Sequence, residues 1–485
     1  MGTRLMSRGD YQASLAYLFG RLNYERVGMP RRPTELRLGR MRRLLRRLGD
    51  PQEGLRIVHI AGTKGKGSTA AMLAAALSAA GLRTGLFCSP HLHRLEERFC
   101  VDGGEATPEE VIALVETVRP VVEDLDAHDP HPRPQGTTFF EITTAMGLLH
   151  FARRRADVVV LEVGVGGRLD STNAIRPLLA VLTTISFDHT RQLGRTLGAI
   201  ATEKAGILKR GRPAVSGVRG DEARAAIHRV ARQRRIRLRE LDVDFGYSYR
   251  PASPPLEAPT PGRVTVQTWR SDWGPLELPL LGAHQAQNAA VALAALDALA
   301  EQGLEISREA VARGFRSLTW PARVEVLGRS PWLVVDGAHN VASAEALAET
   351  LRTCLPSVPR TLIFGTSRDK DLRGQLRALL PLFDVVIATR YIENPRATPP
   401  EEVAAAARDL GGRVAPITTD PASALEAAYR LAPPEGLICI TGSLFLAAEA
   451  RQLILASSQL SAVSFQSSAL SGPNPPAEPS LPAES

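Results

Sequence analysis

The sequence predicts an α/β protein in which a P-loop-containing, mostly parallel sheet domain precedes a smaller Rossmann-like α/β domain. Short runs of continuous apolar residues, such as Asp157–Glu162, are typical of strands that are buried on both faces. A helical pattern follows each run, and strands that alternate with helices indicate parallel sheets. The alternation breaks at T-W-P-A-R (319–323) and then resumes. We therefore expect domains at residues 1–318 and 319–456.

Three segments depart from this alternation. Residues 11–48 carry Leu, Tyr and Met at helical spacing with arginines between them, which predicts a helical cover over residues 1–50. Residues 240–280 are proline-rich and contain an alternating V-T-V-Q-T-W, which indicates a small β subregion. Residues 457–485 are rich in Ser and Pro, so we expect a disordered tail.

The composition indicates a soluble globular protein. Of the 485 residues, 44% are hydrophobic and 23% are charged. No apolar run approaches the ~18 residues that a membrane span needs, and the N-terminus has no signal-peptide core. The four cysteines form neither a close metal-binding pair nor a disulfide framework. We therefore expect a cytoplasmic protein with no membrane partner.

The net charge of +8 is compatible with a nucleic-acid partner, but the choice of cation argues against one. Only five of the 59 basic residues are lysine, so arginine is the habitual surface cation of this chain. We interpret the arginine-rich residues 224–239 as a solvated helix face and expect no nucleic acid. Where lysine does occur, its position favours a function that needs a compact point charge or an amine that can lose its proton. Arginine supplies neither, because its guanidinium is delocalised and always charged.

The stretch I-V-H-I-A-G-T-K-G-K-G-S-T (57–69) predicts a phosphate-binding loop. A short apolar strand leads into a glycine-punctuated basic loop, and a helical pattern follows. Backbone N–H groups and the positive end of the helix dipole then face the anion, and Lys66 can reach its terminal phosphates. The strict P-loop pattern is not met, because Ile60 replaces its first glycine and Gly67 separates Lys66 from Ser68. The alternative is an ordinary glycine-rich turn.

Three polar residues follow predicted strands of the first domain. Ser89, Glu162 and His189 each come after an apolar run. Open α/β sheets bind ligands at the carboxyl ends of their strands, so these side chains should meet beside the phosphate-binding loop. Hydroxyl, carboxylate and imidazole groups together can hold Mg²⁺ that bridges nucleotide phosphates. For His189, an uncommon Mg²⁺ ligand, the alternative is a structural hydrogen bond.

Two other positions have competing interpretations. Lys204 adjoins Glu203, and from spacing alone a helical salt bridge between them is the favoured interpretation. Gln285 and Asn288 lie one helical turn apart on a predicted helix. Their amides suit either an adenine edge or a polar helix surface.

In the second domain, one short loop after a predicted strand carries Asp336 and His339. An acid and an imidazole at this place can orient a substrate amine or contact phosphate. Arg323, on the link between the domains, can reach phosphates from either side.

Ten motifs occur in order between about residue 57 and residue 451: G-T-K-G-K-G-S, S-P-H-L-H-R-L-E-E-R, F-F-E-I-T-T-A, L-E-V-G-V-G-G-R-L-D-S-T-N, S-F-D-H-T-R-Q-L-G-R-T, I-A-T-E-K-A-G-I-L-K, L-G-A-H-Q-A-Q-N-A, V-V-D-G-A-H-N, D-K-D and G-S-L-F-L-A-A-E-A-R. In this order they resemble the folylpolyglutamate synthase/dihydrofolate synthase family, whose members are Mur-type ATP-dependent amide ligases. The resemblance leaves only the helical start and the tail uncovered.

The resemblance implies a role for each matching position. The ATP-binding residues would be Gly62, Thr63, Lys64, Gly65, Lys66, Gly67, Ser68, Asn288, Arg323 and Asp336. The metal ligands would be Ser89, Glu162, His189 and Lys204, the last as its carbamate, which reverses the salt-bridge interpretation. The pterin pocket would be walled by Phe139, Phe140, Glu141, Leu169, Asp170 and Ser171. The catalytic residues would be Lys66, Lys204 and His339.

The sequence departs from the family pattern in three places. The usual phosphate-binding loop has Asn where this chain has Lys64. The commoner F-N-E-R is L-E-E-R at Leu95–Arg98, and the P-G-R linker is P-A-R at Pro321–Arg323. None of these changes removes an implied metal ligand, but the L-E-E-R change at Leu95–Arg98 bears on pterin selectivity.

By this resemblance we expect an ATP-dependent amide ligase that joins L-glutamate to the carboxylate of dihydropteroate, of folate polyglutamates, or of both. The implied cofactor is Mg²⁺ at two sites, with ATP as co-substrate, and we expect a monomer. One alternative is a Mur-type ligase that acts on a cell-wall precursor. Another, from a different class, is a P-loop protein that binds nucleic acid through residues 224–239.

Overall fold

The structure, a computed structural model, describes residues 8–28, 38–129, 136–252 and 261–469. Within these ranges the chain is α/β, as predicted. It forms a seven-stranded sheet, a three-stranded sheet and a five-stranded sheet. No helix within the described ranges is long and apolar enough to cross a membrane.

The seven-stranded sheet belongs to the first part of the chain. Its strands are β1 (Ile57–Ala61), β2 (Thr84–Phe87), β3 (Cys100–Val101), β4 (Val158–Glu162), β5 (Leu179–Leu182), β6 (Ala214–Ser216) and β7 (Leu238–Glu240). Their order is β3-β2-β4-β1-β5-β6-β7, and every neighbouring pair is parallel except β2 and β3. All residues of β1, β4 and β5 are buried, as expected for a parallel sheet with both faces covered.

The N-terminal cover is present, but it is not one continuous helix. The expected helix over residues 11–48 is instead α1 (Arg8–Phe19), α2 (Tyr24–Val27) and α3 (Leu38–Arg47), and residues 29–37 lie outside the described part. The chain turns after α1, and the side chain of Asn23 caps α2 by accepting from the N–H of Glu25 at 2.9 Å. Asparagine favours such a cap over a helix interior, which explains the break.

The other helices of this part are α4 (Lys66–Ala79), α5 (Pro108–Ala127), α6 (Phe139–Arg153), α7 (Thr190–Leu193), α8 (Leu197–Lys204), α9 (Asp221–Arg234), α10 (Ala283–Ala300) and α11 (Arg308–Ser317). The predicted β subregion is an antiparallel sheet of β8 (Gly246–Arg250), β9 (Gly262–Gln267) and β10 (Asp272–Leu278). Residues 253–260 lie outside the described part. The sheet packs its apolar face on α10 within one core.

The second part of the chain forms the five-stranded sheet. Its strands are β11 (Glu325–Arg329), β12 (Trp332–Val335), β13 (Arg360–Phe364), β14 (Val385–Ala388) and β15 (Leu437–Thr441), in the order β11-β12-β15-β13-β14. Its helices are α12 (Val341–Cys354), α13 (Leu372–Leu379), α14 (Pro400–Asp409), α15 (Pro421–Leu431) and α16 (Leu444–Ala469). The antiparallel edge strand β11 was not predicted. Since α11 ends at Ser317 and β11 begins at Glu325, the boundary that we propose near residue 318 falls between them.

The disordered tail was expected to begin at residue 457, and this is wrong for residues 457–469. Helix α16 continues to Ala469, and residues 470–485 lie outside the described part. No glycine or proline interrupts residues 444–469, so nothing in the backbone ends the helix there. The cluster of Pro and Gly begins only at Gly472.

Candidate active site

A cavity of about 1180 Å³ lies between the two larger sheets, and residues of both domains line it. The loops that follow β1, β2, β4 and β5 form one side, and the loops that follow β12 and β13 form the other. The carboxyl ends of strands are where an open α/β sheet binds ligands. This cavity is therefore the candidate active site.

The predicted phosphate-binding loop joins β1 to α4. Gly65 precedes the helix with a φ of 79°, in the left-handed region that glycine adopts without strain. A Cβ atom on Gly65 would lie 2.2 Å from Asn288 Oδ1, and one on Gly62 would lie 1.8 Å from Thr183 Oγ1. The loop packs so closely on its neighbours that only glycine fits at these two positions.

Lys66, the first residue of α4, faces Glu162 at the end of β4. The distance from Lys66 Nζ to Glu162 Oε1 is 3.6 Å, and the Ser89 N–H donates to Glu162 Oε2 at 3.3 Å. Burial raises the pKa of Glu162, and the charge of Lys66 opposes that rise. A cation and a carboxylate thus stand together at the start of the phosphate-binding helix.

The four residues implied as magnesium ligands, Ser89, Glu162, His189 and Lys204, all line the cavity. Within the described residues, no three His, Cys, Asp or Glu side chains form a metal centre by themselves. A buried carboxylate and a hydroxyl nevertheless fit Mg²⁺, which needs few protein ligands when phosphate and water complete its octahedron. Burial lowers the pKa of His189 to about 4, so its imidazole is neutral, the form that ligates metals.

Lys204 lies at the end of α8, where it is 4% exposed and donates to the carbonyl of Gly62 at 2.9 Å. The helical salt bridge with Glu203 is absent, because Glu203 pairs with Arg168 at 2.9 Å. Burial and the nearby charge of Lys66 lower the pKa of Lys204 to about 7. A large fraction of this amine is therefore uncharged at neutral pH, and the uncharged amine is the form that reacts with CO₂.

Gln285 and Asn288 are buried in α10, with exposed fractions of 1% and 4%. The Asn288 amide donates to Gln285 Oε1 at 3.0 Å, and both residues line the cavity. The alternative of a polar helix surface is wrong, because α10 is covered by other elements along most of its length. Their place beside the phosphate-binding loop suits the predicted adenine contact.

Asp336 follows β12 and is 7% exposed. Its carboxylate accepts from the N–H groups of Val324 at 2.9 Å and Ala338 at 2.8 Å, so it fixes the link between the domains. Burial raises its pKa, and the neighbouring Arg323 opposes that rise. Asp336, Arg323 and His339 all line the cavity.

Of the six residues implied for the pterin pocket, five line the cavity and one does not. The cavity is lined by Phe140, Glu141, Leu169, Asp170 and Ser171. Phe139 is fully buried away from it and stacks on Phe19, with 5.6 Å between the ring centroids. Phe139 belongs to the apolar core of the first domain, whereas the next two residues of the helix, Phe140 and Glu141, line the cavity. The Glu141 carboxylate also caps α6, by accepting from the Thr138 N–H at 2.9 Å.

The structure adds residues that were not selected from the sequence. Asp188 lines the cavity and forms an ion pair at 2.8 Å with Lys370, which belongs to the D-K-D motif that the resemblance places on the second-domain side of the cleft. Asp188 could have been found from its position next to His189. Tyr24 and Glu25 of α2 also line the cavity, and no local pattern indicated this, because the contact joins segments far apart in the chain.

Two family matches divide the chain in the same way as the two larger sheets. Residues 60–296 match the Mur ligase middle domain, and residues 322–444 match the Mur ligase, glutamate ligase domain. Together with the cavity, these matches define an ATP-dependent ligase of the Mur type.

Over 393 residues the chain is 35% identical to the dihydrofolate synthase/folylpolyglutamate synthase of Bacillus subtilis, and the match covers 80% of this chain and 86% of that protein. The chain therefore belongs to the folylpolyglutamate synthase/dihydrofolate synthase family. It is also 38% identical over 411 residues to a probable bifunctional folylpolyglutamate synthase/dihydropteroate synthase of Halobacterium salinarum. That match covers 84% of this chain but only 48% of the archaeal protein, so the chain spans about half the length of that relative.

The crystal structure of Mycobacterium tuberculosis folylpolyglutamate synthase complexed with ADP and AMPPCP has the same fold. The TM-score is 0.83 at 32% identity, and the alignment covers 92% of this chain and 98% of that one. This agreement confirms the predicted fold class.

Proposed function

We propose that this ligase joins L-glutamate to the carboxylate of dihydropteroate, of (tetrahydro)folate polyglutamates, or of both, with conversion of ATP to ADP and phosphate. One observation carries the proposal. A single cavity has the phosphate-binding loop on one wall and the second domain, which matches a glutamate ligase domain, on the other. The name of the Bacillus relative and the nucleotides bound to the mycobacterial neighbour support the two substrate classes.

The proposed binding residues all line the cavity, and their roles are those that the family resemblance implies. In the loop from Gly62 to Ser68, Lys66 and backbone N–H groups hold the ATP phosphates, and Asn288, Arg323 and Asp336 surround the rest of the nucleotide. Phe140, Leu169 and Asp170 stand on the wall assigned to the pterin. Ser89, Glu162, His189 and a carbamylated Lys204 would hold Mg²⁺ at two sites, and the bound ions would neutralise phosphate charge.

In the proposed reaction, a carboxylate oxygen of the folate substrate attacks the γ-phosphorus of ATP. The bond from that phosphorus to the bridging oxygen breaks, which gives an acyl phosphate and ADP. The amine of L-glutamate then attacks the acyl carbon, loses a proton, and expels phosphate as the amide forms. Such transfer depends on positioning and charge neutralisation, which explains a site built from lysines, carboxylates and backbone N–H groups. We propose that Lys66 holds the transferred phosphoryl group, and that His339 helps to form the second-domain wall of the cavity.

The domain boundary, a monomeric state, a cytoplasmic location and the lack of nucleic-acid and membrane partners are also part of this proposal. The low lysine content supports the absence of a nucleic-acid partner, since the positive charge follows from a general use of arginine.

The test is release of inorganic phosphate from ATP with L-glutamate and either dihydropteroate or tetrahydrofolate. We expect glutamate-dependent release with at least one of them, and the pair of rates shows which synthase activities are present. The Lys66→Ala variant should bind the folate but release no phosphate above background. Release that requires a UDP-linked cell-wall precursor, or normal turnover by Lys66→Ala, would contradict the proposal.

A further inference from the structure

A cluster of charged and polar side chains joins the two domains at the mouth of the phosphate-binding loop. We call Lys64, Asp188, His339, Asn340 and Lys370 the interdomain cluster. Lys64 and Asp188 come from the first domain, and the other three residues come from loops after β12 and β13. By the family resemblance Lys64 is expected to contact ATP, although the family usually has Asn at that position.

Asp188 lies at the centre of the interdomain cluster. Its Oδ2 accepts from Lys64 Nζ at 2.9 Å and from Asn340 Nδ2 at 2.9 Å, and its Oδ1 accepts from Lys370 Nζ at 2.8 Å. The carboxylate of Asp188 thus connects a lysine of the first domain to a lysine of the second.

Lys64 also contacts the second domain directly. Its Nζ lies 3.0 Å from His339 Nε2, and His339 Nδ1 lies 2.9 Å from the carbonyl of Gly337. A carbonyl only accepts, so Nδ1 carries the ring proton of the neutral imidazole and Nε2 accepts from the lysine. One ammonium thus donates to a carboxylate of its own domain and to an imidazole of the other.

The main chain of Lys64 is occupied as well. Its N–H donates to Thr184 Oγ1 at 3.1 Å, and its carbonyl accepts from Thr183 Oγ1 at 2.6 Å. The N–H of Lys64 is therefore used within the first domain, and two of the three donors of its ammonium are used by Asp188 and His339. Lys66, two residues later, faces Glu162 instead and remains the lysine placed for the nucleotide.

We propose that Lys64 is a positioning residue, which ties the phosphate-binding loop to the second domain through Asp188 and His339 and so sets the closed arrangement in which the two half-sites meet. This role deepens the proposed function and rests on it. The side chains of Lys64, Asp188 and Lys370 are only 22%, 8% and 10% exposed, so solvent screens their attraction weakly. An asparagine at this position would be too short to contact both Asp188 and His339. We therefore infer that the lysine in place of the usual asparagine provides this link between the domains.

The test compares Lys64→Met and Lys64→Asn with the wild-type protein. Both variants remove the ammonium but leave the loop glycines and Lys66 unchanged. We expect the Kd for AMPPCP to change by less than about threefold, because Lys64 does not hold the nucleotide. We expect kcat to fall, and KM for L-glutamate to rise, by about tenfold in each case. Small-angle scattering of the protein should show a larger radius of gyration for both variants.

Lys209→Met is the matched control. Lys209 donates to a main-chain carbonyl, that of Asn173, and does not line the cavity. This variant should leave the kinetic constants and the radius of gyration at their wild-type values. Combining Lys64→Met with Asp188→Asn should cost less activity than the product of the two single effects, since both changes remove one pair.

A loss of AMPPCP affinity as large as the loss of kcat/KM would overturn the proposal and make Lys64 a phosphate ligand. Wild-type values throughout, or independent effects in the double variant, would overturn it too. If no folate supports turnover, the proposed function fails, but the radius of gyration and the AMPPCP affinity still decide the role of Lys64.

Discussion

At the residue scale, Lys204 shows how burial changes the chemistry of a side chain. An ammonium that is 4% exposed, with one carbonyl as its hydrogen-bond partner, is an unfavourable ion, and its pKa of about 7 reflects that cost. When the amine adds CO₂ and loses a proton, it becomes an anionic oxygen donor beside the phosphate-binding loop. Neither arginine nor an exposed lysine would react in this way.

We predict that Lys204→Ala lacks ligase activity and that acetate or formate restores part of it, because a small carboxylate can occupy the space of the carbamate. The measurement is phosphate release by the wild-type protein and by Lys204→Ala, each with and without added acetate or formate. A carbonyl signal in the wild-type protein after growth on ¹³C-bicarbonate, absent from Lys204→Ala, provides a readout besides activity. Full turnover by the unrescued variant would contradict the carbamate.

His59 provides a second prediction at this scale. It is fully buried on β1, its Nε2 lies 2.9 Å from Thr172 Oγ1, and burial lowers its pKa to about 3. Its ordinary pKa is 6.5, so below that pH the unfolded chain gains a proton that the folded chain does not. The contribution of His59 to the free energy of unfolding is therefore fully present above pH 6.5. It falls as the pH drops from 6.5 towards 3, by up to about 1.4 kcal/mol per pH unit.

The measurement for His59 is the free energy of unfolding in urea at pH 7 and pH 5.5. We expect His59→Gln to lower stability at pH 7 and to reduce the difference between the two pH values. An unchanged difference would show that His59 does not contribute to the acid sensitivity.

At the element scale, the junction of β1 and α4 depends on glycine for two separate reasons. Gly65 has positive φ, and a Cβ there would also collide with Asn288 of α10. Gly81, after the other end of α4, has a φ of 87° but no atom within 4 Å of a Cβ. A comparison of substitutions at Gly65 and Gly81 therefore separates the effect of backbone strain from the effect of close packing.

We predict that Gly65→Ala and Gly81→Ala each destabilise the protein by about 1 kcal/mol through the left-handed backbone. Only Gly65→Ala should also lower the affinity for AMPPCP, because it displaces Asn288 and the loop. Thermal unfolding and calorimetric titration measure the two effects. Equal AMPPCP affinities for the two variants would mean that the loop tolerates the extra methyl group.

At the scale of the whole molecule, the fully buried apolar clusters of the two domains are separate, and residues of both domains line one cavity. The clusters around β1 and β4 lie in the first domain, and those around β13 and β15 lie in the second. Cores that do not merge can unfold independently, whereas a ligand held by both domains couples them.

We predict that scanning calorimetry of the protein alone shows two transitions, and that AMPPCP with Mg²⁺ raises the temperature of both. At about 100 times its Kd the ligand adds about 2.7 kcal/mol of stability. The same nucleotide without Mg²⁺ is the control and should shift the transitions less. A shift of only one transition would show that the nucleotide contacts a single domain.

The sequence by itself determined the local features of this protein. Apolar runs determined β1, β4 and β5, and the glycines between residues 57 and 69 determined the phosphate-binding loop. These features depend on residues that are close together in the chain, which is why they could be predicted. The ten motifs in order led to the family by resemblance, without any distance between side chains.

Only the tertiary structure decided which groups meet. It turned Phe139 into the core, left Lys204 without its neighbouring carboxylate, brought α2 to the cavity, and placed Lys64 between Asp188 and His339. Burial, charge and hydrogen bonding at these positions come from segments up to hundreds of residues apart. A local pattern does not encode such contacts, because they arise only when the two domains pack around their common cavity.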